Sequence, residues 1–268
     1  MQVVAHRGSS GAHAEHTLAA YESAIREGAD SLECDVRLTR DGVLVCVHDR
    51  RIDRVSDGRG VLSTLELADL EQLDFASWKA RQTGEAAIRG GEDVDYDAER
   101  SRVLTLERLV ELAADSRTVD GGRVGLHIET KHPTRYGSLV EQMLLEMLAS
   151  FGLDRPTSRA RSTVTVMSFA VTSLRRVHLR AAALPTVLLM KRVPLRYRDG
   201  LLPASVDSAG VELEVLREHP RYVQRVHARG GRVQVFTVDE PADIDFVLSL
   251  GVDVVISNEP ARVRAHLA

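Results

Sequence analysis

The sequence predicts an α/β protein, a closed (β/α)8 TIM barrel, on three observations. Eight short apolar runs alternate with amphipathic helical stretches, and such alternation implies a parallel sheet joined by right-handed crossovers. The 268 residues suffice for one such barrel with a large core. Carboxylates and imidazoles collect near the C-terminal ends of the runs, where barrel active sites lie. The chain, residues 1–268, therefore reads as a single barrel domain.

The strand-like runs are "QVVA" (2–5), "SLECDV" (31–36), "RVGLHIET" (123–130), "STVTVMSF" (162–169), "LPTVLLM" (184–190), "GVELEV" (210–215), "RVQVFTV" (232–238) and "VDVVIS" (252–257). Helical stretches fall between them at 17–29, 104–115, 222–230 and 241–251. Thr17 is placed to cap the first, and Gly28 and Gly230 stand where helices should stop. One run breaks the alternation. "VLVCVHD" (43–49) follows "RLTRDG" with no room for a crossover helix. Its Asp-Gly turn predicts a hairpin arm of residues 31–38 and 43–49, with only the first arm in the barrel. His48 then falls roughly opposite Glu33 or Asp35. Residues 50–103 are too long for a barrel loop and read as an insertion over the strand ends, a lid, a substrate wall or a solvated decoration. It holds one helix-like stretch at 64–74, an apolar cluster of Leu70, Leu73, Phe75 and Trp78, and an acidic run, "GEDVDYDAER".

Composition excludes several classes. Hydrophobic residues make up 44% and charged residues 28%, as in a folded globular protein. A net charge of −4 gives no bulk attraction to nucleic acid or anionic membrane, so an anionic substrate needs a local site. Cys34 and Cys46 lie in apolar runs and read as buried thiols in a reducing compartment rather than a disulfide framework. "MQVVAHRGSS" shows no secretory pattern and no run reaches the length of a membrane span, so a cytoplasmic protein without stable membrane insertion is expected. Oligomeric state is left open.

Strand side chains alternate, so Glu33 and Asp35 share a face and Cys34 takes the other. Two carboxylates in a barrel lumen need a shared proton, a basic partner or a hard cation. Glu129, at another strand end, is a third acid, although Lys131 two residues on could simply pair with it. Three oxygen ligands suit one divalent cation, Mg²⁺ or Ca²⁺, rather than Zn²⁺. The motive is three acids with too little nearby positive charge. His6, Arg7 and Gly8 follow the first strand. Arg offers a fork for phosphate or carboxylate, and Gly lets the backbone approach a ligand. With His48 as a second imidazole, these groups make a kit for phosphodiester cleavage by acid/base catalysis.

Here the residues reach a resemblance. "AHRGSSGAHAEHTLAAYESAIREGADSLECDVRLTRDGVLVCVHD" resembles the N-terminal signature of the glycerophosphodiester phosphodiesterase family: H-R-G, P-E-N-T, G-A-D, E-x-D, D-G and H-D. "HIETK" (127–131), "MSF" (167–169), "FTVD" (236–239) and "GVDVVISNEP" (251–260) are similar to its I-E-x-K, Q-S-F, W-T-V-N and G-V-D-x-I-x-T-D-x-P strands. The resemblance covers essentially the whole chain in order. It implies a (β/α)8 barrel, a divalent metal, and hydrolysis of glycerophosphodiesters to an alcohol and sn-glycerol 3-phosphate. It makes His6 and His48 the acid/base pair and gives Glu33, Asp35 and Glu129 the metal. Arg7 would contact phosphate, Lys131 would support the site electrostatically, and Glu15 would order the first loop through Arg7. Phe236 would form pocket wall.

Ala14, His16, Met167, Phe236 and Asp239 replace the pattern's Pro, Asn, Gln, Trp and Asn. These changes alter the pocket wall rather than a proposed catalytic group; His13 and His16 read as loop residues. Two other readings compete. A lysophospholipase D-like enzyme would need an apolar groove, which Leu73, Phe75 and Trp78 could supply. A phosphate-ligand-binding barrel without turnover would not need two imidazoles. A sugar isomerase or aldolase on the same fold is more remote.

Overall fold

A computed structural model describes residues 1–83 and 101–267. Eight parallel strands close into a barrel in the order β1 (Gln2–His6), β9 (Val254–Ser257), β8 (Arg232–Phe236), β7 (Ser208–Glu212), β6 (Thr186–Met190), β5 (Val164–Ser168), β4 (Gly125–Thr130) and β2 (Ser31–Leu38). Pairing of β1 with both β9 and β2 completes the ring. Around it run α1 (Leu18–Arg26), α2 (Leu67–Leu70), α3 (Ser77–Thr83), α4 (Leu106–Asp115), α5 (Leu139–Ser150), α6 (Val171–Arg180), α7 (Leu213–Glu218), α8 (Tyr222–Ala228), α9 (Pro241–Leu250) and α10 (Pro260–Leu267). This is the TIM-barrel fold. None of the helices is long and apolar enough to cross a membrane among the described residues.

Helix boundaries follow local chemistry. The Thr17 hydroxyl accepts from Ala20 N and starts α1; Thr105 accepts from Arg108 N and starts α4. One expected strand is misplaced: residues 213–215 of "GVELEV" belong to α7, not β7. The strand ends at the barrel rim, and Leu213 and Leu216 then share the buried face of a helix at i, i+3 spacing. The expected helix at 64–74 shrinks to α2, whose start is fixed by reciprocal Glu66 and Asp69 side-chain bonds.

The hairpin forms outside the ring. β3 (Leu44–Cys46) pairs antiparallel with β2, Val36 opposite Cys46 and Leu38 opposite Leu44. It is shorter than the expected arm, so His48 lies beyond the strand; Val47 N still bonds Asp35 O at 2.9 Å and holds it over the barrel mouth. Gly42 takes φ +84° in the turn, as the Asp-Gly pair requires.

Four buried clusters make up the core among the described residues. Cys34 and Cys46 are buried between strands and helices, with Leu32, Ile128, Leu106 and Leu144. A second cluster covers the opposite half of the ring, with Val211, Val235, Val255 and Leu216. Inside the lumen, Val4, Met167, Val187, Leu189, Val254 and Ile256 form an apolar layer with Phe236 against it. Leu70 and Phe75 of the 50–103 segment are buried with Val45, Ile52 and Val103, with Leu73 and Trp78 against them. The acidic run "GEDVDYDAER" lies outside the described residues.

Candidate active site

The upper strand ends bring most of the expected residues to one place. His6 is the last residue of β1 and pairs in register with Glu33; Asp35 pairs in register with Glu129. A pocket of about 180 Å³ is lined by His6, Arg7, Glu33, His48, Glu129 and Lys131 on its polar side, with Thr237 and the Lys191–Glu212 ion pair (3.3 Å) beside them. Met167, Phe169, Leu189, Phe236 and Ile256 form the apolar side, with Phe169 and Phe236 edge-to-face at 6.2 Å. Asp35 is buried beside the pocket, and Glu15 lies in an adjoining cavity with Arg7 and His6.

The backbone after β1 explains the H-R-G run. Arg7 takes φ 56° and Gly8 φ 82°. A Cβ on Gly8 would stand 2.6 Å from the Ala20 carbonyl carbon, so only glycine fits against α1. This turn aims Arg7 N–H at Glu33 Oε2, 3.0 Å away.

Glu33, Asp35 and Glu129 each offer an oxygen within 4.8 Å of the others. The expected shortage of positive charge is corrected here. Asp35 has Lys131 Nζ at 2.8 Å, His16 Nε2 at 2.9 Å and Arg7 Nε at 3.0 Å, the last an ion pair whose N–H is not aimed along the contact. Lys131 also reaches Glu129 at 2.8 Å, as the simple pairing anticipated. Burial alone would raise the Asp35 pKa, but Lys131, the His16 bond and Arg7 outweigh it and hold it well below the usual range. Glu33 goes the other way: burial and the Asp35 charge push it well up. Burial and Asp35 also push Glu129 up to about 7. Charge is thus compensated at Asp35 and in excess at its two neighbours. Three buried carboxylates with that excess fit a hard divalent cation.

Both imidazoles have one nitrogen committed. Asn258 Nδ2 donates to Asp239 Oδ2 at 2.7 Å, and Asn258 N donates to Asp239 Oδ1 at 2.8 Å. A carboxylate only accepts, so the amide oxygen of Asn258 must face His6 Nδ1, 2.7 Å away. His6 therefore carries its proton on Nδ1 and a lone pair on Nε2. Burial, with Arg7, lowers its pKa to about 4. His48 Nδ1 meets Asp49 Oδ1 at 2.7 Å, and Arg37 clamps the His48 carbonyl at 3.0 and 2.7 Å. An ionic ladder continues from Asp49 through Arg54 and Glu15 to Arg7 and Asp35. Glu15 would rise on burial, yet Arg54 and Arg7 pull it down to about 2.

Some functional neighbours escaped the sequence reading. His16, expected in a loop, is 5% exposed with φ 62°, its Nδ1 2.8 Å from the Tyr21 hydroxyl, which itself donates to the Glu33 carbonyl. Asn258 was passed over inside the last-strand pattern. That pattern has Asp where Asn258 stands, and W-T-V-N has Asn where Asp239 stands. The two departures are reciprocal, and the residues face each other. Read as a pair, they were a visible signal.

Residues 6–262 match the family described as the glycerophosphoryl diester phosphodiesterase family. The chain belongs to that family. As a member, it is a phosphoric diester hydrolase. It is 44% identical over 265 residues to "Probable glycerophosphodiester phosphodiesterase 1" of Mycobacterium tuberculosis (strain H37Rv), covering 99% of this chain and 92% of that protein. It is 30% identical over 261 residues to the glycerophosphodiester phosphodiesterase of Bacillus subtilis (strain 168), covering 96% and 83%. Its fold matches that of an Oleispira antarctica phosphodiesterase solved in complex with the product sn-glycerol-3-phosphate, at TM-score 0.79 and 23% identity, covering 100% and 96% of the two chains.

Proposed function

We propose that the enzyme hydrolyses glycerophosphodiesters to an alcohol and sn-glycerol 3-phosphate, using one divalent cation and two imidazoles. The observation that carries this reading is that His6 and His48 line one small pocket, each with Nδ1 engaged and Nε2 left for the substrate. Glu33, Asp35 and Glu129 would hold Mg²⁺ or Ca²⁺. When bound, the cation supplies neutralisation of charge on the phosphoryl oxygens. Arg7 gives the phosphate a second cationic contact, and Lys131 balances Asp35 and Glu129.

His6 is the base. Its ring is neutral at pH 7, and Nε2 takes the proton from the attacking oxygen as that oxygen bonds to phosphorus. His48 is the acid. Burial, Lys131 and Arg7 lower its pKa against the pull of Asp35 and Asp49, but it is more open to solvent than His6, with 34% of its side chain exposed. An arriving phosphate anion favours its protonated form. As the phosphorus–oxygen bond to the alcohol breaks, His48 Nε2 hands its proton to the alkoxide. Phe236 and the other apolar residues pack against the glycerol carbons. Glu15 holds Arg7 and Arg54 in place.

The 180 Å³ pocket suits a three-carbon phosphate, and Leu70 and Phe75 are buried in a separate cluster and do not line it. Both support deacylated substrates over lysophospholipids. The test measures released choline or ethanolamine from glycerophosphocholine, glycerophosphoethanolamine and a lysophospholipid below its micelle concentration, with and without chelator, and glycerol 3-phosphate as the second product of the first two. Activity on the first two that disappears on chelation is expected. A preference for the lysophospholipid would overturn the substrate reading, and activity surviving exhaustive chelation would overturn the metal.

A further inference from the structure

The strands that carry catalytic groups at their upper ends line a second cavity at their lower ends. Alternation puts Gly125, His127 and Glu129 on one face of β4, and Arg232, Gln234 and Phe236 on one face of β8. Glu129 and Phe236 belong to the catalytic pocket. Their lower partners line a cavity of about 600 Å³ that shares no lining residue with it. The apolar lumen layer lies between the two.

Two groups on the cavity floor lack partners. His127 is 3% exposed and Gln234 4%, and neither His127 Nδ1 nor Gln234 Oε1 has a hydrogen-bond partner. Buried polar atoms are nearly always paired, so these ask for an occupant. Gln234 Oε1 needs a donor. Burial and Arg232 lower the His127 pKa to about 4, so at pH 7 its neutral ring offers one N–H and one lone pair. Hydroxyl groups meet both needs. The cavity is far larger than the ~30 Å³ share of one water molecule and falls in the size range of small-molecule sites.

The mouth adds charge. Arg123, Arg159, Arg229 and Arg232 line it. The two lining acids are already engaged: Asp30 by Val3 N and Arg264, Asp207 by Arg159 and Thr186 N. Arg229 pairs with Asp199 at 3.2 Å and Arg232 with Asp253 at 3.4 Å. Arg123 has no carboxylate partner among the described residues, and its planar fork suits a carboxylate or phosphate. We propose that this cavity binds a small hydroxylated anion, a polyol phosphate or a hydroxy acid, with its acidic group on Arg123 and its hydroxyls at Gln234 and His127. The site is separate from the reaction centre and does not rest on the substrate reading.

The test follows the imidazole signals of enzyme carrying ¹⁵N-labelled histidine, with His127→Gln as the variant that assigns His127. The probes are D-glycerate and sn-glycerol 3-phosphate, with glycerol and inorganic phosphate beside them. At least one hydroxylated anion should shift the His127 signals saturably; which one does so separates the carboxylate from the phosphate source. Glycerol and phosphate should act far more weakly. Arg123→Gln should weaken that titration at least about tenfold, as loss of a charged hydrogen bond implies, while kcat/KM stays unchanged. His6 and His48 report catalytic-pocket binding separately. His127 signals that neither anion moves, that glycerol moves equally, or that move equally in Arg123→Gln would overturn the proposal.

Discussion

His6 and His48 differ in what holds them, and that difference can be measured. Replacing either with alanine should lower turnover about 10²–10⁴-fold with little change in substrate affinity. If the two act in one step, the double variant falls little below the worse single one. Two losses that multiply in steady-state kinetics would show independent roles. The Asp239–Asn258 pair sets the His6 tautomer. Asn258→Asp alone places two carboxylates 2.7 Å apart and should cost more activity than Asp239→Asn, which leaves two amides. The combined reversal restores one amide and one acid and should recover much of the loss. It also puts a carboxylate on His6 Nδ1, which favours the charged ring, so the acid limb of the kcat/KM profile should move to higher pH. An unmoved limb in a folded, active double variant would show that Asn258 does not govern His6.

At the scale of elements, the hairpin and the following segment do different work. Phe75 is 5% exposed in the cluster under β3, so Phe75→Ser should cost about 3–5 kcal/mol of stability. Trp78 lines the cavity that holds His6 and Arg7, and Arg54 sits 5.7 Å from its ring. Trp78→Ser should lower Tm less than Phe75→Ser does while altering KM. Thermal melts beside kinetics on glycerophosphocholine decide this, and the reverse pattern would place Phe75 at the substrate. Most barrel strands were legible in the sequence because each is a short, largely apolar run bounded by turn residues. The β2–β3 hairpin was legible from the Asp41-Gly42 turn. The β7–α7 junction was not, because "GVELEV" carries an alternating pattern that suits a strand beyond the point where the rim ends it. His6, Arg7, Glu33, Asp35, His48 and Glu129 could be read because strand parity and strand ends place them. His16 could not, because its role depends on a φ of 62° in a loop that turns the ring inward.

For the whole molecule, the buried ionisable groups set two windows of acid sensitivity. His127 is held neutral, with its pKa lowered from 6.5 to about 4. The unfolded chain then binds a proton first as pH falls, so the His127 contribution to stability declines from pH 6.5 toward 4 and is flat above. Glu15 and Glu141 are lowered from 4.5 to about 2, so their contribution is present above 4.5 and lost as pH falls toward 2. In urea unfolding at pH 7.5 and 4.5, His127→Gln should remove about 2–3 kcal/mol of the decline seen in the parent. An equal decline in both proteins would show that His127 is already protonated or exposed.

The facing Asp239 and Asn258 come from the ends of two strands, β8 and β9, and each is correct only in the other's company. Recombining this chain with a parent that carries the pair in reverse order makes that dependence a rule for crossovers. A breakpoint between residues 239 and 258 joins like to like, either two acids or two amides, in every progeny chain. Breakpoints on either side of that stretch pass the pair on intact.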